Sequence, residues 1–231
     1  MSAFNLRDLV GMDEFLKAEE LQRVVWGKDD TADPADLMMV IQHEGGLVAG
    51  AFEDGELIGY VFGFPTRTPS IQHSHRLAVS PKARGRGLAI ALKHYQRQWC
   101  LERGITLIRW TFDPLRHLNA SLNVGRLGVT VSSYLPDYYG AMKGINSGLA
   151  SDRILAEWAI SSPEMAKGTG DTALKVRIPD NIDRLLVTDK KTAEAERLRV
   201  RHELTQHFKN GYTITGYNPS LCSYLLTTSL G

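Results

Sequence analysis

The sequence predicts a mixed α/β (α+β) fold, a central sheet flanked by helices and followed by a small C-terminal α+β extension. Three observations carry this. Apolar residues recur at helical intervals near the start of the chain, short β-rich runs bounded by Gly, Pro and Asp fill residues 47–79, and a strand, basic turn, helix and strand succeed one another over residues 74–112. The last succession is the layout of a parallel crossover.

Taken in order, Leu6, Leu9, Val10, Met12, Phe15, Leu16, Leu21 and Val24 predict one amphipathic helix over residues 5–25, stopped by Trp26-Gly27. A second helix is predicted from Pro34 to Gln42, because Pro suits a first helical turn. Leu47–Phe52 and Glu56–Phe64 read as antiparallel strands joined by Asp54-Gly55, a pair that tolerates positive φ. After the break at residues 65–70, Ser74–Val79 is a third strand. Gly87–Arg103 is helical, with Leu88, Ala91, Leu92, Tyr95 and Trp99 on one stripe and Gly104 as its stop. Ile105–Phe112 reads as a strand buried on both faces, Pro114–Leu127 as a helix, and Val129–Tyr134 and Ile154–Ile160 as strands. Ser161–Thr172 has linker composition. The predicted division is therefore a main domain over residues 1–163 and a subdomain over residues 172–231 packed on it, made of a strand (Leu174–Ile178), a charged helix (Lys191–Phe208) and two short strands (Tyr212–Gly216, Cys222–Thr227).

The chain has 231 residues, 43% of them hydrophobic and 23% charged, which excludes disorder, collagen-like repeats and coiled coil. Its formal charge of +1 argues against a protein that binds nucleic acid through bulk charge. No apolar run approaches the ~20 residues of a membrane span. The acidic start, without an apolar signal core, leads to the expectation of a cytoplasmic protein, with Cys100 and Cys222 reduced.

The chemistry concentrates at Arg84-Gly85-Arg86-Gly87-Leu88-Ala89, between a strand end and a helix start. The glycines let backbone amides turn toward one point, and a helix N-terminus adds unpaired N–H groups and a positive dipole, so the segment suits a phosphate. Lys82, Arg84 and Arg86 add charge. Other phosphate motifs fit worse: no Gly-Lys-Ser/Thr is present, and a dinucleotide Gly-x-Gly-x-x-Gly fails at Ile90.

These residues fit Arg-x-x-Gly-x-Ala, preceded by Val79-Ser80-Pro81, and here the sequence resembles the GNAT acyltransferase superfamily over roughly residues 5–160. A narrower resemblance, through His73–His75, Arg84–Gly87, Leu92–Arg97 and Trp110–Leu115, is to longer GNAT-like proteins that accompany N-acylamino-acid racemases. The resemblance implies an acetyl-CoA or other acyl-CoA cosubstrate, succinyl-CoA included. Its pyrophosphate would lie on Arg84, Gly85, Arg86, Gly87, Leu88 and Ala89, and its pantetheine arm on the backbone of Leu77, Ala78 and Val79. It also implies direct transfer to a small-molecule amine, with an amino acid as the acceptor to consider. Two family positions depart from the pattern. The thiolate-protonating Tyr is Val124 here, and the pantetheine-contacting Asn is His117, with Asn119 two residues away. The first departure motivates an alternative, a non-catalytic acyl-CoA binder.

Three residues are candidates for the proton transfers of amine acylation. His75 opens the strand beside the expected cleft and titrates near neutrality. Glu157 lies between Ala156 and Trp158, where apolar neighbours raise a carboxyl pKa. Tyr139, beside Tyr138, is a candidate acid or pocket wall. Asp113 before Pro114 reads as turn chemistry, and the charged residues of 191–208 as a solvated helix face. His73 and His75 share one strand face, but without a third ligand in pattern no metal site is expected. Residues 172–231 are left with three open roles: completing the active site, covering it, or forming a homodimer interface.

Overall fold

In a computed structural model of the chain, the residues described are 4–29, 31–140, 148–161 and 174–228. By contact they fall into two compact units that part between Arg109 and Trp110. The predicted linker at 161–172 lies almost wholly outside the described residues.

The first unit contains β1 (Asn5–Asp8), α1 (Gly11–Trp26), α2 (Ala35–His43), β2 (Leu47–Glu53), β3 (Glu56–Pro65), β4 (Ile71–Val79), α3 (Leu88–Leu101) and the start of β5 (Leu107–Phe112). Its strands run in the order β1-β2-β3-β4-β5. Neighbours are antiparallel except β4 and β5, which pair in parallel from Ile71↔Leu107 to His73↔Arg109. The mixed sheet and its parallel step are as the sequence predicts.

The first helix is a correction. Residues 5–8 are a strand, and Gly11, at φ 73°, separates them from α1. Leu6 and Leu9 suit either period, and tertiary context decides: β1 covers the edge of β2, a strand buried over its first six residues, with Leu6 opposite Ala51 and the Leu9 amide donating to Val48 O at 2.9 Å. Glu14 then fixes the entry to α1, accepting from the Val10 amide at 2.8 Å and from both Arg7 Nη atoms at 2.7 Å.

The Asp54-Gly55 hairpin forms as predicted, both residues having positive φ (50° and 81°). Phe15, Leu21 and Met38 of α1 and α2 pack with Val48, Phe52, Tyr60 and Phe62 of the sheet. The alternate residues of β3 meet α3. A Cβ at Gly63 would lie 2.8 Å from both Gln72 Oε1 and Gln96 Nε2, so only glycine admits the polar chain that runs between α3 and β4. That chain is buried. Lys93 Nζ donates to Ser74 Oγ (2.8 Å) and Gln96 Oε1 (3.0 Å), Gln96 Nε2 donates to Gln72 Oε1 (2.7 Å), and Cys100 Sγ donates to the same oxygen (3.2 Å). Burial lowers the Lys93 pKa to about 7 and raises that of Cys100 to about 12. The predicted apolar stripe of α3 is accurate at Leu88, Leu92 and Trp99 and misses these polar residues.

The second unit holds the rest of β5, α4 (His117–Ala120), β6 (Thr130–Leu135), β7 (Arg153–Ala159), β8 (Leu174–Arg177), α5 (Ile182–Thr188), α6 (Lys190–Lys209), β9 (Tyr212–Asn218) and β10 (Ser223–Thr228). Its strand order is β7-β6-β9-β10-β8. The C-terminal strands extend the sheet directly from β6, with Val131 opposite Ile214. The long helix predicted over 114–127 is only α4 followed by one wide turn at Ser121–Arg126, closed by the Leu127 amide on Leu122 O at 3.0 Å. α5 was not predicted; Asn181 caps it by accepting from the Arg184 amide.

The expectation of a solvated face for α6 is also corrected. Arg197, 3% exposed, donates to both oxygens of Asp113 at 2.9 and 2.7 Å. Arg201 donates to both oxygens of the fully buried Asp152, at 2.8 and 2.5 Å. These arginines pack inward because each finds a carboxylate. Asp113 also makes the predicted turn, accepting from the Leu115 amide at 2.9 Å.

Candidate active site

β4 ends at Val79, and the Ser80 amide holds the exit by donating to Ile58 O at 2.9 Å. A short 3₁₀ turn at Pro81–Ala83, anchored by buried Ala83, leads to extended Arg84 and then to Gly85 and Gly87 at φ 77° and 78°. A Cβ at either glycine would meet nothing within 4 Å, so backbone conformation, not space, requires glycine there. The helical bonding of α3 begins with the Ala91 amide on Gly87 O, and no side chain caps its N-terminus. The amides of the first turn, Leu88 and Ala89 among them, therefore face the loop with the positive end of a 14-residue helix. Lys82 and Arg84 are exposed, whereas Arg86 is held by Glu53 through bonds of 2.9 and 2.6 Å. Of the two arginines in the turn, Arg86 is engaged by Glu53 and Arg84 is exposed.

Leu77, Ala78 and Val79 pair on one side with Val61, Tyr60 and Gly59 of β3. On the other side the ladder with β5 ends at His73↔Arg109. Beyond it β4 has no partner strand among the described residues of its unit, which leaves a backbone edge that an extended amide-bearing ligand can pair with.

His75 stands at an irregularity in β4. The register with β3 steps from Phe62↔Arg76 to Gly63↔Ser74, and His75 is the extra residue. Its ring packs on the edges of Phe62 and Phe64, with centroids 5.5 and 5.6 Å away, and its Nε2 lies 3.2 Å from Asp33 Oδ1. Neighbouring His73 stacks on Phe64 at 4.9 Å, and burial lowers its pKa to about 4, so it is neutral at physiological pH. Asp33 is the residue that sequence reasoning missed. It lies 42 positions from His75, and nothing in the local pattern marks it.

The remaining candidates lie in the second unit and are described with it. Tyr139 donates its amide to Ser151 Oγ at 2.9 Å, its hydroxyl is 3.2 Å from Thr111 Oγ1, and the Arg153 guanidinium lies 5.1 Å from its ring centre. Glu157 is half-buried on β7, opposite Thr130. Asn119 is half-buried in α4. Val124 is 2% exposed, a core residue with no proton to give. His117 Nδ1 is 2.8 Å from the Tyr217 hydroxyl. Among the described residues no group of three or more His, Cys, Asp or Glu could hold a metal ion, and no helix is long and apolar enough to cross a membrane.

The model of the Acetyltransferase (GNAT) family matches residues 12–122 of this chain, from α1 to the end of the crossover and α4. The match spans 111 of the 231 residues, just under half of the chain. The matched span contains the whole Arg84–Ala89 turn, β4 and His75, while Tyr139 and Glu157 lie beyond it. By this match residues 12–122 are similar to acetyltransferases of the GNAT family. Solved structures share the GNAT fold. The ribosomal-protein-S18-alanine N-acetyltransferase of Escherichia coli is 16% identical, with a TM-score of 0.57 over 73% of this chain and 99% of its own. A phosphinothricin acetyltransferase from Sinorhizobium meliloti, in complex with acetyl-CoA, is 19% identical, with a TM-score of 0.55 over 74% and 98%. An N-acetyltransferase from Staphylococcus aureus is 13% identical, with a TM-score of 0.56 over 69% and 99%. These neighbours are used almost whole, and a quarter or more of this chain extends beyond them. No functionally curated protein matches the chain.

Proposed function

We propose that this protein transfers a short acyl group from acyl-CoA to the amine of a small molecule, with amino acids as the acceptor class and acetyl and succinyl as the acyl groups. The observation that carries the reading is the Arg84–Ala89 turn, which sets the uncapped N-terminus of α3 and exposed Arg84 after the end of β4, a strand whose ladder with β5 stops at His73↔Arg109. In the reaction the amine nitrogen bonds to the thioester carbon, the C–S bond breaks, and one amine proton ends on the coenzyme A sulfur.

The chain's residues divide this work. The amides of Leu88 and Ala89, with Arg84, hold the pyrophosphate. Leu77–Val79 pair with the pantetheine arm, and an amide near Leu77 or Ala78 polarises the carbonyl. His75 accepts the amine proton. Asn119, Tyr139 and Glu157 stand as the alternatives for contact with the cosubstrate, for protonation of the departing sulfur and for the base, respectively. The test is thiol release from acetyl- and succinyl-CoA across the amino acids. Release above the hydrolysis rate with at least one acceptor is expected; hydrolysis alone with every acceptor overturns the reading.

A further inference from the structure

We infer that Asp33 is a positioning residue that fixes His75 as the Nε2–H tautomer, leaving Nδ1 free of a proton and able to take one from the acceptor; the second half of this statement rests on the reading of His75 as the base.

The connection between α1 and α2 is an exposed stretch, yet Asp33 is held from several directions. Gln22, fully buried, clasps its backbone at two points, its Nε2 donating to Asp33 O at 3.2 Å and its Oε1 accepting from the Asp33 amide at 2.8 Å. Two residues on, Glu19 accepts from the Ala35 amide at 2.8 Å. On the sheet side, Arg76 Nε lies 2.9 Å from Asp33 Oδ2, and Arg76 Nη2 donates to Thr31 O at 2.8 Å while its guanidinium covers the Trp26 ring at 4.7 Å. These contacts converge on one result, a carboxylate oxygen 3.2 Å from His75 Nε2.

The protonation state follows from that geometry. Burial opposes ionisation of Asp33, but the His75 hydrogen bond and the charge of Arg76 outweigh it and hold its pKa below the usual range. An ionised carboxylate only accepts hydrogen bonds, so the proton between the two side chains belongs to His75 Nε2. In the neutral ring Nδ1 is then the acceptor. Phe62 and Phe64 fix the plane of the ring, and the irregularity in β4 turns it out of the regular strand direction. Among the described residues, Arg76 and His73 are further charged or titratable neighbours, the latter with its ring centre 6.1 Å away and neutral. A nucleophile or base whose partner ring is oriented by a third group is a recurrent catalytic arrangement. The competing reading is a plain Asp33–Arg76 tether in which His75 is a bystander.

The experiment uses the full-length protein labelled with ¹⁵N-histidine. Long-range ¹H–¹⁵N correlation reads the tautomer of each histidine, and His75→Gln assigns the signal. The parent is expected to show His75 protonated at Nε2, and Asp33→Ala to lose that preference. In turnover, Asp33→Ala is expected to lower kcat about ten- to a hundred-fold, with acetyl-CoA affinity unchanged and partial rescue in Asp33→Glu. If the alanine variant does not fold, Asp33→Asn serves for the same comparison. Nδ1 protonation in the parent, or an unaltered tautomer and kcat in the folded variant, overturns the inference. Failure of the parent to bind acetyl-CoA instead overturns the acyltransferase reading, and the tautomer then still decides whether Asp33 holds the ring.

Discussion

Lys93 offers a sharp test of the packing behind β4. It is 2% exposed, and burial lowers its pKa from 10.5 to about 7. A lysine whose folded-state pKa is lowered binds fewer protons than in the unfolded chain between those two values, so the folded state gains stability as pH rises from about 7 toward 10.5. The gain starts at about half of, and approaches, ~1.4 kcal/mol per pH unit within the window, which amounts to roughly 2 kcal/mol between pH 7 and 9. Lys93→Met removes the titration with little change in volume. Gln96 Oε1 keeps the Ser74 hydroxyl as a donor at 3.1 Å, so the variant strands no acceptor there. Cys100, with an unfolded value of 9.0 and a folded value of about 12, begins to contribute near pH 9, but it is present in both proteins and cancels in their difference. Urea unfolding of both proteins at half-unit steps is the assay. The parent should gain on the variant throughout that range, with the variant ahead at pH 7. Parallel stability curves would show that Lys93 stays charged in the fold and would refute the reasoning.

Three further outcomes follow from the same contacts. Arg84→Ala should weaken acetyl-CoA binding roughly ten- to a hundred-fold through loss of a charge-assisted contact worth ~1.5–3 kcal/mol; Arg86→Ala should cost less because Glu53 already engages that side chain, and equal losses in calorimetry would contradict this. Asp113→Asn breaks a pair with buried Arg197, and a loss of about 3–5 kcal/mol in denaturant unfolding is expected; a change below ~1 kcal/mol would place that pair among weak surface contacts. A thiol reagent should label the folded protein at Cys222 and leave Cys100 unmodified until denaturant is added, because Cys100 is fully buried with its thiol pKa raised to about 12; mass spectrometry of the labelled peptides decides.

What could be read from the sequence was whatever rests on neighbours along the chain. The Asp54-Gly55 hairpin, the Gly87 start and Gly104 stop of α3, and the Gly85-Gly87 turn all depend on local φ values, which residue type dictates. Residues 5–8 fit a helix in sequence because Leu6 and Leu9 satisfy helical spacing, while pairing with β2 some 45 residues away decides their state. The inward arginines of α6 escaped notice for a related reason. A charged residue reads as surface until its partner is known, and Asp113 is 84 positions from Arg197. A separation of 42 positions likewise hid Asp33 from His75, and only the fold makes them neighbours.

The central claim is that the Arg84–Ala89 turn and the β4 edge form an acyl-CoA site. Isothermal titration of acetyl-CoA into the parent protein tests it most directly, with Gly87→Val as the control, since a β-branched residue cannot adopt φ 78° without strain. One-to-one binding in the range of ~1 μM to 1 mM usual for enzyme substrates is expected, sharply weakened in the folded variant. No heat of binding to the parent, or equal affinity in the two proteins, would contradict it.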